Sequence, residues 1–229
     1  ATLQLPAGTI PELLARGEDP FGDHPAFATE AGTLSYRDLR TQSRNAARAF
    51  LASGVRPGDR VGIWAPNVVE FMVALLGAES IGAAVVPINT RYRGEEARVI
   101  LSRARATAVV LINGFLGADY SSMLREAGAR AAAEGKATDL RDGEVAHDVV
   151  GGLPHLHTVI DLNDESGSGE TTWAEFLTRA EQTPLADLVA AYAQHADVDI
   201  TIESVGGVDA ARRVQGGEAF DFVVLASDA

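Results

Sequence analysis

Several groups of residues in this sequence have types and spacings suited to chemistry. Ser204-Val205-Gly206-Gly207 follows the alternating stretch Val198-Asp199-Ile200-Thr201-Ile202-Glu203 and precedes a helical pattern carrying Ala211 and Val214. A strand that ends in a hydroxyl and two glycines, then opens a helix, aims backbone N–H groups at one point where an anion would sit. Ser204, Gly206 and Gly207 are therefore the candidate anion-binding residues. His155 and His157 straddle Leu156 and share a strand face, as two metal ligands must. No third ligand is near in sequence, so solvated edge histidines are expected instead. Asp139, Asp142, Glu144 and Asp148 offer the oxygens a calcium ion takes. They lack the glycine and ligand period of a calcium loop, which makes a solvated loop the expectation. Gly151-Gly152 reads as a turn needing positive φ, and Arg91 and Arg93 as surface cations. No metal site and no catalytic residue is expected.

The elements that must position these groups follow from periodicity. Ser35 caps a helix in which Leu39, Ala46, Ala47, Phe50 and Leu51 recur at helical spacing, ending near Gly54. After the Arg56-Pro57-Gly58-Asp59 turn, Val61 to Ala65 is short, apolar and partly β-branched, which predicts a buried strand. Asn67 is expected to cap the next helix, with Glu70 in its first turn and Phe71, Met72, Leu75 and Leu76 as its buried stripe. Ala83–Ile88 and Thr107–Ile112 predict strands around a helix at 94–106, and Tyr120–Ala133 a further helix. Thr158–Leu162 then predicts a fourth strand and Thr172–Arg179 a helix, with breaks at 134–148 and 163–170. Short apolar strands alternating with amphipathic helices imply a doubly wound, mostly parallel α/β sheet with helices on both faces. A C-terminal strand-helix-strand segment, with Phe220–Ala226 as its last strand, completes the predicted fold. Tyr36, Phe50, Trp64, Phe71 and Met72 are expected in the core, and Trp173 to pack a short helix onto the sheet.

Composition narrows the function classes. The 229 residues carry 19 basic against 32 acidic side chains, a formal net charge of −13. Such a charge opposes binding to nucleic-acid backbones or anionic lipid. There is no cysteine, so disulfides, thiolate metal sites and cysteine nucleophiles are excluded. No run approaches the roughly 18 apolar residues a membrane helix needs, and no export signal is visible, which points to the cytoplasm. Of the basic residues one alone, Lys136, is lysine.

Four stretches carry a family resemblance. They are Leu34-Ser35-Tyr36-Arg37-Asp38-Leu39, Gly54 to Val61, Ala65-Pro66-Asn67, and Gly82-Ala83-Ala84-Val85-Val86-Pro87-Ile88-Asn89-Thr90-Arg91. In order and spacing, residues from about 9 to 183 resemble the N-terminal part of the adenylate-forming acyl-CoA synthetases, AMP-forming ligases that convert a carboxylic acid, ATP and coenzyme A into an acyl-CoA thioester. Gly114-Phe115-Leu116-Gly117-Ala118-Asp119-Tyr120 looks like synthetases acting on alicyclic or steroid-ring-derived acids. The resemblance implies ATP, magnesium and coenzyme A as cofactors of the complete enzyme and a carboxylic acid as its substrate. It also implies a Ser/Thr/Gly-rich phosphate loop ending in Pro-Lys-Gly and a catalytic lysine. This sequence contains no such loop, and Lys136 in Glu134-Gly135-Lys136-Ala137-Thr138 matches neither lysine motif. The chain alone is therefore expected to bind no cofactor and to form no acyl-adenylate.

A second resemblance begins near 184. Ser204 to Asp209 and Gly217 to Ala226 are similar to the early part of periplasmic solute-binding proteins of the molybdate type, and that resemblance alone would place the protein in the periplasm. The expected organisation is thus a composite: a synthetase-like subdomain over 1–183 and a partial solute-binding-like segment over 184–229. Two alternatives to the ligase reading follow, an oxyanion-binding module and a structural fragment whose exposed apolar edges favour self-association.

Overall fold

In the computed structural model the described residues are 9–11, 14, 21–29, 32–135, 146–147, 149–163 and 170–184. All belong to a compact unit spanning 1–196. The expected segment over 184–229, and with it Ser204, Gly206 and Gly207, lies outside the described residues apart from Pro184. So do Lys136 and the acidic cluster of Asp139, Asp142, Glu144 and Asp148.

The described elements are β1 (Pro25–Thr29), β2 (Gly32–Ser35), α1 (Tyr36–Ala52), β3 (Arg60–Trp64), α2 (Val69–Ser80), β4 (Ala84–Pro87) and α3 (Gly94–Ala104). They continue with β5 (Ala108–Leu111), α4 (Tyr120–Ala133), β6 (Thr158–Asp161), β7 (Thr171–Thr172) and α5 (Trp173–Thr178). β1 and β2 form an antiparallel hairpin. The other five strands make one parallel sheet in the order β4-β3-β5-β6-β7, with Val61 opposite Val85 on one side and Ala108 on the other.

Alternation along the strands divides the core in two. Val61, Ile63, Ala108, Val110 and Ile160 face α1, α2 and α5 through Phe50, Val73, Leu76 and Phe176. Trp64, Val109, Leu111 and Val159 face α3 and α4 through Leu101 and Leu124. A sheet buried on both faces favours strands that are apolar on both, which is why 61–65 and β5 read as continuous hydrophobic runs. Helices α1 and α2 approach closely because the contact is built of small residues. A Cβ added at Gly77 would sit 2.8 Å from the Ala46 Cβ.

The observed elements fall within three residues of the expected ones, with four differences, one being the short strand β7, which was not expected. The helix expected to be capped by Asn67 begins one residue later. Val68, whose side chain has no polar atom, occupies the cap position without a side-chain bond, and its N–H donates to the Pro66 carbonyl at 2.8 Å in a tight turn. The β1–β2 hairpin was not expected; its short, partly polar strands lack a two-residue Asn-Gly or Asp-Gly signal. Tyr36, Phe71 and Met72, expected in the core, are half-buried, since they lie where their helices meet solvent. Phe50 and Trp64 are fully buried, and Trp173 stacks on Phe176 at 5.2 Å as α5 closes on the sheet. No helix among the described residues is long and apolar enough to cross a membrane.

Among the described residues two buried side-chain oxygens have no hydrogen-bond partner, Ser43 Oγ on α1 and Glu79 Oε2 near the end of α2. Burial pushes the Glu79 carboxyl up to about 7 from 4.5. An acid whose folded pKa exceeds its unfolded one contributes fully to stability below 4.5 and loses that contribution as pH rises through 7. Glu79→Gln is therefore expected to match the parent at pH 4.5 and to be more stable at pH 8 by about 1–2 kcal/mol, below the full linkage value because water reaches part of the side chain. Urea midpoints at the two pH values check this; an equal difference at both rejects it.

Candidate functional site at the carboxyl edge of the sheet

Parallel strands deliver the loops that follow them to one edge, and a crevice opens where neighbouring strands send their connections to opposite faces. Strand β3 leads to α2 on one face and its neighbour β5 leads to α4 on the other, so that point lies between their carboxyl ends. The loops gathered there are 65–68, 88–93, 112–119 and 162–163.

Two constructions hold these loops. The first is aromatic: the Trp64 indole stacks on the Tyr120 ring with centroids 4.2 Å apart and planes 22° apart. Both side chains are buried and both polar tips are spent on the loop after β4. Trp64 Nε1–H donates to the Asn89 carbonyl at 3.1 Å and the Tyr120 hydroxyl to the Thr90 carbonyl at 2.8 Å. Burial raises the Tyr120 pKa, which keeps the phenol a neutral donor.

The second construction is polar. Asp161, at the end of β6, is 2% exposed and accepts from the Asn113 backbone N–H at 3.1 Å, from Asn113 Nδ2 at 2.8 Å and from the Asn163 N–H at 3.0 Å. Asn113 Nδ2 also donates to Ser121 Oγ, and its Oδ1 accepts from the Ser121 N–H. Asp119 caps α4 by accepting from the Ser122 N–H and hydroxyl. The Ser122 backbone bond is the chief reason the Asp119 carboxyl lies below its usual range.

Between these constructions the tip Phe115-Leu116-Gly117 turns sharply. Leu116 has φ 54 between Gly114 at 86 and Gly117 at 71, and 76% of it is exposed. Left-handed backbone at a leucine costs about 1–2 kcal/mol, and such strain concentrates at functional edges.

At the same edge the helix starts carry acidic side chains. Helix N-termini are the fold's natural anion sites, and those of α3 and α4 are filled by the chain's own carboxylates. Glu96 accepts from the Arg93 N–H at 3.0 Å and Asp119 occupies the start of α4. Glu70 stands in the first turn of α2. Arg91 and Arg93 are exposed on the loop rather than turned into a cradle. Among the described residues no three His, Asp or Glu side chains converge on a point a metal ion could take.

With this geometry in hand, the comparisons with known proteins decide the family. The profile of the AMP-binding enzymes matches residues 15–193. The chain belongs to the AMP-binding enzyme family. It is 38% identical over 173 residues to the "3-[(3aS,4S,7aS)-7a-methyl-1,5-dioxo-octahydro-1H-inden-4-yl]propanoyl:CoA ligase" of Rhodococcus jostii, covering 75% of this chain and 32% of that protein. The Mycobacterium tuberculosis ligase of the same name is 38% identical over 185 residues, covering 81% of this chain and 31% of that protein. The chain thus spans about a third of the length of the curated relatives it matches. The anthranilate CoA ligase AuaEII, solved in complex with anthranoyl-AMP, shares the fold at 20% identity with a TM-score of 0.59, over 79% of this chain and 29% of that one.

Within the AMP-binding family framework, the expected site residues fare unevenly. Gly152 has φ 73, as its turn requires, whereas Gly151 does not depend on positive φ. His155 and His157 are not paired as ligands. The His157 ring lies instead on His147, centroids 3.7 Å apart, and that partner had not been singled out. Asn113, Ser121 and Asp161 were also missed; the available signal was an amide or a carboxylate just past the last apolar residue of a buried strand. The family match ends at 193, short of Ser204, Gly206 and Gly207.

Proposed function

We propose that this chain supplies the α/β scaffold of an AMP-forming acid–CoA ligase whose substrate is an alicyclic, fused-ring carboxylic acid, and that the 229 residues do not by themselves adenylate a carboxylate. The family match over 15–193 supports the ligase assignment. The two relatives at 38% identity, both named as ligases of a bicyclic propanoyl group, support the acid class, in keeping with the resemblance of Gly114–Tyr120.

The single observation that carries the second half is the carboxyl edge itself. Adenylation develops negative charge on the phosphorus being attacked and on its leaving pyrophosphate, and the family meets that charge with cationic and backbone groups held in place beforehand. Here the starts of α3 and α4 already hold Glu96 and Asp119, and the sequence has one lysine and no phosphate loop. What this unit contributes is position: the Trp64–Tyr120 stack and the Asp161 network fix where the loops end.

The test is direct. The purified chain, given ATP, magnesium and a panel of carboxylic acids that includes fused-ring propanoates, is expected to release no pyrophosphate above the buffer rate. Acid-dependent turnover sustained through an inert-mutant control overturns the inactive half. Discrimination of the acid class comes from grafting residues 1–183 onto the remainder of the Rhodococcus ligase. Retained turnover of the fused-ring acid is expected, and a chimera that folds but prefers linear acids rejects the substrate class.

A further inference from the structure

At the edge opposite the loops just described, the strands begin, and a cluster there has no part in the proposed function. Asp59 precedes β3, Thr107 precedes β5 and His157 precedes β6. His157 donates its backbone N–H to the Thr107 carbonyl at 2.7 Å, and His147 donates its own to Pro154 at 2.8 Å. These bonds bracket the return 149–157 that carries the chain from α4 to β6. Val150, Leu153 and Leu156 of that return are buried against the α3/α4 face. What faces outward is the imidazole of His147 lying on that of His157, 3.7 Å between centroids at 40°.

We infer that this ring pair is a proton-operated latch: neutral, it holds the 149–157 return on the amino edge of the sheet, and doubly protonated, it releases it. Two imidazolium rings at that separation repel at close quarters in a half-buried setting, whereas two neutral rings pack. Among the described residues, Arg56 and His155 oppose protonation of His157 and Asp59 favours it. Burial is the largest influence, and together these hold His157 below the ordinary histidine value. A histidine depressed on folding adds stability above its unfolded pKa of 6.5, and that stability is lost as pH falls below it. The release therefore belongs to acidification, not to alkali.

Two measurements on the full chain test this. The midpoint of the His157 ring titration, followed by NMR, is expected to be moved upward by His147→Gln, because the repulsion from the second ring is removed. Amide exchange of 149–160, corrected for intrinsic rates, is expected to speed up about tenfold between pH 7.5 and 5.5. His147→Gln is expected to remove most of that increase. A His157 midpoint that His147→Gln leaves unmoved, or an acid-driven increase that survives that substitution, overturns the latch. If that variant does not fold, exchange of 149–160 in the unsubstituted protein decides, and the absence of an increase on acidification overturns the latch.

Discussion

Trp64→Ala is expected to cost about 4 kcal/mol of folding stability. The side chain is fully buried at the end of the interior strand β3, and truncating a buried tryptophan removes both its transfer free energy and the packing of its walls. Two further losses accompany it. The Asn89 carbonyl loses its Nε1–H donor and the Tyr120 ring loses its stacking face, worth about 0.5–1.5 kcal/mol beyond area. Trp64→Phe keeps a ring in the stack and should cost no more than about 2 kcal/mol. Urea unfolding of the three proteins measures the order. Because the sequence has just one other tryptophan, Trp173, fluorescence also reports the site. Equal stabilities for the alanine and phenylalanine variants would mean that the stack is not the joint described above.

The second large effect has a sign that ordinary propensity would get wrong. A glycine inside a helix normally gains about 1 kcal/mol on replacement by alanine. Gly128→Ala in α4 is expected to lose about 3 kcal/mol instead. A Cβ at that position would run into the carbonyl oxygen of Gly151, with the Val150 Cγ1 at 3.0 Å beside it. The obstacle is backbone rather than the free end of a side chain, so it yields only if the 149–157 return moves off the helix. Thermal and chemical denaturation decide the sign, and a stabilised variant refutes the close approach.

How far such features were legible beforehand depends on their range. The sheet and its covering helices follow from local pattern: β3 and β5 are buried on both faces and read as unbroken apolar runs, and Tyr120–Ala133 carries its own cap in Asp119. Parallel order could not be read so directly, because which strand lies beside which is decided by crossovers tens of residues long. Thus β3 proves interior and β4 an edge. The site was less visible still. Asn113 and Asp161 are 48 residues apart, and nothing near either one in sequence announces the other. His147 escaped notice for the same reason: its partner His157 was judged against His155, its neighbour in sequence, whereas the fold brings in a residue from the far end of the return. Glycines behaved similarly. Gly151-Gly152 signalled a turn, but that Gly128 must be small to admit it emerges only from the packing.

The strand order β4-β3-β5 also sets a timetable for synthesis on the ribosome. Val61 pairs with Val85 on one side, but its other flank stays bare until Ala108 emerges 47 residues later. At about 5–20 residues per second that is roughly 2–9 s, during which a largely apolar strand presents an open ladder of amides and carbonyls to solvent. Whatever shields nascent chains would find its target there, before the second half of the domain exists.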